Sequence, residues 1–370
     1  MMKVAVVWNS PISEVIHRFG RTCSEKYGRA AVERVVAGLR EGGHLAELHD
    51  GDAGLVDRLR NFIPPTVDKQ TPHGMVFNMA YGIQGECRYT HVPAILEMAG
   101  VPYTGSGPMG HALALDKVVT KVLIRDAGIS TPKWMAAERP DQEPRGLAFP
   151  LVVKPRHEST SFGLQIAHNQ QELQEAIFSV LTQYDQEALV EEFVEGREIC
   201  VGLLGNEPVE CLPLVELDFR GREMAAFTWE DKMHRRQDEP QKHCPASLPE
   251  HLVAELREIA VGTFRACHCR DYARVDIRID RSGNPHVLEI NSMASLGKTA
   301  SYVLAASRAG YGFSELVCRI LDVAHQRYFG TPASRKTDQS KATAEYALSE
   351  NESVTSRLRA EPGVHEPSTA

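Results

Sequence analysis

One stretch, from Asp271 to Lys298, constrains this chain more than any other. It reads DYARVDIRID, then RSGN, then PHVLEINSMASLGK. Apolar and polar residues alternate on both flanks, and Ser282-Gly283 between them supplies a tight turn, so the spacing predicts a β-hairpin. Pairing symmetric about that turn sets Asp276 opposite Glu289 and Arg274 opposite Asn291, all four on one face. Val275, Ile277, Ile279, Leu288 and Ile290 then point the other way, towards a core. Facing carboxylates repel. A cation between them removes that cost, and Asp, Glu and Asn offer only the hard oxygen ligands that suit Mg²⁺ or Mn²⁺. The alternative is a solvated hairpin face that Arg274 neutralises.

A chain of 370 residues exceeds one comfortable core, so two or three packed lobes are expected. The formal net charge of −8 argues against nonspecific nucleic-acid binding, yet it leaves room for a locally positive phosphate pocket. No apolar run approaches the length of a membrane span, and the opening MMKVAVVWNS lacks a signal-peptide layout. A cytoplasmic protein without a membrane partner is therefore expected. Eight scattered cysteines imply reduced thiols. The Cys267-His268-Cys269 cluster, with His243-Cys244 upstream, has spacing too tight for a zinc knuckle, and Cys267 falls at helical spacing with Val261 and Phe264. A buried thiol is the better reading.

From the start of the chain, KVAVVW reads as a buried strand, residues 25–41 as a helix ending at Gly42-Gly43, and HLAELHD and MVFNMAYG as further strands. That order predicts a parallel α/β unit. Residues 90–99 read as a helix and VPYTG as a short strand. GSGPMG, residues 105–110, matches a dinucleotide fingerprint but lies in the wrong context, so a glycine turn before a helix over Leu113 to Ala127 is expected. FPLVVKP is a strand that ends on Lys154, an ammonium costly to bury without a partner. The loop after it carries Ser159, Thr160, Ser161 and Gly163, rich in donors and able to close over phosphates. ALVEEFVEGREICVGLLG suggests two strands paired around Glu195-Gly196. Residues 220–246 read as a lid or crossing loop, 250–267 as an amphipathic helix, and 332–370 as a disordered tail.

In this order the pieces resemble the ATP-grasp superfamily and, within it, the D-alanine–D-alanine ligases. Four segments carry the resemblance: VPYTGSGPMGHALALDK, the VVKP strand with its ESTSFG loop, EEFVEGREI, and RVDIRID…LEIN. The resemblance implies an α/β fold with α+β lobes. An N-terminal Rossmann-like parallel-sheet domain would occupy residues 1–115, a central ATP-grasp lobe 116–200, a C-terminal lobe with the metal site 201–330, and the tail 331–370. It also implies ATP and Mg²⁺ as cofactors. Lys117 and Lys154 would contact phosphates, under a loop of Glu158 and residues 159–163. Glu191, Phe193 and Val194 would frame the adenine, and Glu198 would take the ribose hydroxyls. Asp276, Glu289 and Asn291 would hold the metal, and Arg274 the developing tetrahedral intermediate. A substrate carboxylate would attack the γ-phosphate, and an amine would then displace phosphate from the acyl phosphate. Partners would be small amino-acid-like substrates, with a homodimer through the N-terminal lobe.

The departures from the family bear on substrate. Its ammonium-binding glutamate falls at Arg21, with Glu14 out of register, and its lid tyrosine is Met233. Its catalytic-loop serine is Thr160, which keeps the hydroxyl. Its Pro-Gly after the metal asparagine is Ala294-Ser295, its carboxylate-binding serine is Ala300, and its His-Gly is Tyr81-Gly82. An amide-forming ligase of altered specificity is therefore expected, with Arg21, Lys298 and Arg88 as candidates to meet an acidic substrate and Ser295 as a further substrate-binding candidate. An authentic cell-wall D-alanine–D-alanine ligase, a non-catalytic ATP-binding sensor and an NAD-dependent oxidoreductase are the alternatives. The last leaves Asp276, Glu289 and Asn291 unexplained.

Overall fold

The computed structural model describes residues 1–9, 16–17, 23, 25–65, 73–221 and 240–330. The expectations for Glu14, Arg21, Met233 and the tail fall outside these residues, as does most of the 220–246 segment.

Three sheets organise the described chain. The first is parallel, with β1 (Lys3–Trp8) between β2 (Leu45–Asp50) and β3 (Gly74–Asn78). Both faces of β1 are covered, which explains its unbroken apolar run. Val4, Val6 and Trp8 pack with α1 (Arg29–Glu41) and with the last described helix, α9 (Phe313–Phe329). Ala5 and Val7 pack with α2 (Leu55–Phe62) and α3 (His91–Ala99). VPYTG forms no strand of its own; it contributes a single bridge, Val76 to Tyr103.

GSGPMG is the turn into a helix, α4 (Pro108–Leu115), with Gly107 as N-cap and Pro at N1. The helix expected over Leu113 to Ala127 is in fact two. Asp116 breaks it with extended backbone, φ −79° and ψ 98°, and caps α5 (Lys117–Asp126) by accepting the Val118 and Val119 N–H groups at 3.0 and 3.1 Å. Lys117 is thereby the first residue of α5.

The second sheet is antiparallel, in the order β4 (Trp134–Ala137), β7 (Ala188–Glu192), β5 (Leu151–Pro155), β6 (Gln165–Ala167). Leu151, Val153, Ala188 and Val190 bury against α6 (Gln170–Tyr184). Strand alternation turns Val152, Lys154 and Glu191 to the opposite face.

The third sheet runs β11 (Gln241–His243), β10 (Val215–Asp218), β8 (Gly196–Leu204), β12 (Tyr272–Asp280), β13 (Pro285–Asn291), with β9 (Glu210–Cys211) on β8. Ile199, Val201, Val275 and Ile277 pack beneath α7 (Glu250–Ala266), together with the buried Cys267 and Cys269. Burial pushes the Cys267 thiol up to about 12, which keeps it protonated in the core. A short helix, α8 (Ser301–Arg308), precedes α9.

Two expectations change here. β7 and β8 do not pair around Glu195-Gly196; they lie in different sheets, and residues 193–195 are the crossing between them. At Gly196, with φ +153°, a Cβ would stand 1.9 Å from the Ile279 carbonyl oxygen, so the chain enters β8 too close to β12 for a side chain. The hairpin itself keeps the expected pairs, Arg274 with Asn291 and Asp276 with Glu289, but a bulge follows Asp276. Beyond it Ile277 pairs with Val287 rather than Leu288. The extra residue exchanges two side chains: Val287 enters the core, and Leu288 turns to the cleft.

Candidate active site

The polar faces of the second and third sheets enclose an open cleft of about 890 Å³. Lys154 and Glu191 come from one wall; Glu198, Arg274, Asp276 and Glu289 come from the other. Val152, Phe162, Leu164, Phe193, Val194, Leu217 and Leu288 supply apolar surface around them. A smaller pocket of about 290 Å³ adjoins it, lined by Tyr89, Ser159, Asn291 and Ser292 among others. Lys117, Glu158 and Glu289 line both.

The charges in the large cleft are buried and matched. Glu191, 3% exposed, pairs with Lys154 at 2.5 Å and with the fully buried Lys121 at 2.7 Å. Lys121 also donates to Thr131 Oγ1 at 2.6 Å. Burial alone would discharge all three groups. For Glu191 the two ammonium groups overcome it, holding the carboxyl below its ordinary range. Lys154 is likewise raised against burial by Glu191 and Glu289. Lys117 has less compensation: burial, aided by Lys154 and Arg88, brings its pKa down to about 8 despite Glu289 and Glu158.

The loop after Lys154 is anchored from both ends. Arg156 forks onto Asp116 at 2.8 and 2.6 Å, and the Lys117 ammonium donates to the Glu158 carbonyl. The Glu158 carboxylate receives Arg88 at 3.1 Å and Gln186 at 3.0 Å. Arg88, 2% exposed, is thus committed to this loop rather than offered to a substrate. Ser159 and Tyr89 both donate to the Glu25 carboxylate, and their hydroxyls lie 3.2 Å apart. Thr160 and Ser161 hold φ of +55° and +56°, at a cost of about 1 kcal/mol each. Gly163 follows at φ +79°, where a Cβ would stand 2.7 Å from the Tyr184 ring.

At the hairpin, Arg274 forks onto Asp276 with both contacts at 2.7 Å, and Asn291 Nδ2 donates to Asp276 Oδ2 at 3.1 Å. Asp276, with further help from Cys200 and Glu289, raises the Arg274 pKa against the effect of burial. The neutralisation that a cation would provide is supplied by Arg274 in this arrangement. Among the described residues no group of three or more His, Cys, Asp or Glu side chains is poised to hold a metal ion. The donor set nevertheless fits a hard divalent cation: two carboxylates across a strand pair, with an amide whose half-turn presents oxygen instead of nitrogen.

The structure gathers most of the expected site residues. Lys154, Ser161, Glu191, Phe193, Val194, Glu198, Arg274 and Asp276 line the large cleft, Ser159 and Asn291 the small pocket, and Lys117, Glu158 and Glu289 their junction. Thr160 is among the lining residues of neither, and its hydroxyl donates to the Ser159 carbonyl at 2.7 Å. Ser295 and Lys298 also line neither, Lys298 being exposed, and Arg21 is outside the described residues. Sequence reasoning passed over Lys121, Arg278, Glu25, Tyr89 and Ser301. Of these, Lys121 carried a local signal in its four-residue spacing from Lys117 on one helix face, and Arg278 in its two-residue spacing from Asp276 on one strand face. The others reach the site through long-range packing.

Comparison with known proteins agrees with this architecture. Residues 123–322 match the family model described as the D-ala D-ala ligase C-terminus. The D-alanine–D-alanine ligase of Alcanivorax borkumensis is 35% identical over 323 residues, covering 84% of this chain and 95% of that protein. An uncharacterized protein, y4sG, of Sinorhizobium fredii is 53% identical over 334 residues, covering 89% of this chain and 98% of its own length. The crystal structure of the Bacillus anthracis D-alanine–D-alanine ligase complexed with ATP superposes with a TM-score of 0.70 at 21% identity, covering 88% of this chain and 97% of that one. The chain has the ATP-grasp fold of a ligase. It belongs to the D-alanine–D-alanine ligase family. Among the described residues no helix is long and apolar enough to cross a membrane.

Proposed function

We propose that the large cleft binds Mg-ATP, that the adjoining pocket binds a carboxylate substrate, and that the chain joins that carboxylate to an amine with altered amino-acid specificity. The observation that carries this reading is the shared wall: Lys117, Glu158 and Glu289 border both compartments, where a γ-phosphate and an attacking carboxylate would meet. Positioning and charge neutralisation dominate such phosphoryl transfer.

Lys117 and Lys154 hold phosphate oxygens, and Glu191 keeps Lys154 charged and aimed. The loop of Glu158, Ser159 and Ser161 covers the phosphates, with Thr160 bracing it through the Ser159 carbonyl. Phe193 and Val194 in the crossing, with Leu288 turned in by the bulge, take the adenine, and Glu198 accepts from the ribose hydroxyls. Asp276, Glu289 and Asn291 would hold Mg²⁺, which when bound offsets phosphate charge. Arg274 then stabilises the oxyanion formed as the amine attacks the acyl phosphate.

Altered specificity is supported by the small pocket. Tyr81, where the family has histidine, stacks on Tyr27 at 5.1 Å and contacts Tyr89 at 5.2 Å, and Tyr89 reaches the pocket wall. A second reading, authentic D-alanine–D-alanine ligase, is favoured by the 35% identical relative of that name. ADP and phosphate release with Mg-ATP across D- and L-amino acids, singly and in pairs, separates the two. Release with D-alanine alone supports the second reading, and release only with another pair supports the first. Tight ATP binding without release under any pair contradicts both.

A further inference from the structure

Arg278 is a buried cation for which the roles above have no use. It lies on the cleft face of β12, two residues past Asp276, and is 3% exposed. Register places it directly across from Glu198 on β8. Its Nε and Nη2 donate to the same Glu198 oxygen, Oε2, at 3.0 and 2.9 Å, and its Nη1 donates to the Val194 carbonyl at 3.0 Å. The guanidinium is 5.2 Å from the Phe193 ring centre and 5.4 Å from that of Phe219. One planar group therefore ties together the 193–195 crossing, the start of β8 and the strand that carries Asp276.

We propose that Arg278 is a positioning residue for the nucleotide sugar: it holds the Glu198 carboxylate in the orientation that accepts ribose hydroxyls and fixes the crossing that borders the base. The inference rests on the proposed seat of ATP in this cleft. Charge supplies the physical reason. Glu198 shares the cleft with Glu191 and Asp276, which already engage Lys154 and Arg274, and a bound polyphosphate adds further negative charge. A bare carboxylate there would be repelled and would turn away. The two contacts converging on Oε2 offset its charge and hold that oxygen in place, which a point-like ammonium cannot do while also reaching Val194. The flanking rings hold the guanidinium in place.

The test measures the dissociation constants of ATP and 2′,3′-dideoxy-ATP, with Mg²⁺, for the wild type, Arg278→Met and Arg278→Lys, alongside melting temperatures. Wild type should prefer ATP by at least about tenfold, because a carboxylate arranged for hydroxyl donors rejects a ligand that lacks them. Arg278→Met should lose most of that ratio by weakening ATP alone, and Arg278→Lys should regain part of it. Should the Met variant not fold, the Lys variant decides. An unchanged ratio in folded variants, an equal loss for both nucleotides, or no preference in wild type overturns the positioning role while ATP still binds. Wild type that binds neither nucleotide brings down the seat of ATP itself, and this inference with it.

Discussion

The two compartments at the centre of this protein share a wall but are built by different means. In the large cleft, most of the charged groups sit on strands: Lys154 on β5, Glu191 on β7, Glu198 on β8, Asp276 on β12. Its contents follow from pairing and pleat, and they keep the residue types that the family resemblance implies. The small pocket collects Tyr89 from a helical turn, Ser159 from a left-handed loop and Asn291 from a strand end, with Glu25 behind them. Loop-built sites can change one contact at a time without disturbing a sheet. Tyr81, one of the departures from the family, packs against Tyr89 on that side. In the proposed function, chemistry and selectivity occupy separable parts.

The sharpest way to break that separation is to remove charge at the hairpin. Asp276→Asn keeps the size of the side chain but removes its charge and one of the two acceptors that Arg274 forks onto, and should lower kcat/KM by about 10³-fold while also lowering the melting temperature. Full turnover would remove the hairpin from the chemistry. Next in size, Lys121→Met deprives Glu191 of one of its two cations in a dry site and should cost about 3 kcal/mol in chemical denaturation. A loss of under about 1 kcal/mol would mean that Lys154 alone satisfies Glu191.

A pH profile probes the shared wall. With its pKa near 8, Lys117 is charged below that pH and loses its charge above it. The kcat/KM for nucleotide should be flat below about pH 7 and fall towards tenfold per unit above 8, provided the charged form binds phosphate. Lys117→Arg should move the inflection out of range, and a wild-type profile flat to pH 10 would sever Lys117 from phosphate binding. The smallest effect is expected from Tyr89→Phe, which removes a hydroxyl from Glu25 and Ser159. It should raise KM for the amino-acid substrate a fewfold, about 1 kcal/mol, with nucleotide KM unchanged. Equal shifts in both constants would show that the compartments are not separable.

Much of this site was legible because strands write their faces into sequence with a period of two. RVDIRID and LEIN announced Arg274, Asp276, Glu289 and Asn291 as neighbours, and the pairing places them so. Lys154 stood out as an ammonium at the end of an apolar strand, and its partner is Glu191. The bulge was not legible, because one extra residue in β13 changes no local pattern; only the fit of β12 against β13 decides whether Val287 or Leu288 is buried. EEFVEGREI looked like a hairpin because alternation around Glu-Gly is the same whether two strands pair or part.

The sequence by itself determined the chemical inventory and which residues share a strand face, since side-chain type and pleat are local properties. Tertiary structure alone decided that β7 and β8 belong to different sheets, that Lys121 answers Glu191, that Arg88 serves Glu158, and that Glu25 stands behind Tyr89 and Ser159. Those outcomes depend on burial. A charge removed from water must find its opposite wherever the packed chain brings one, and no local pattern records where that will be.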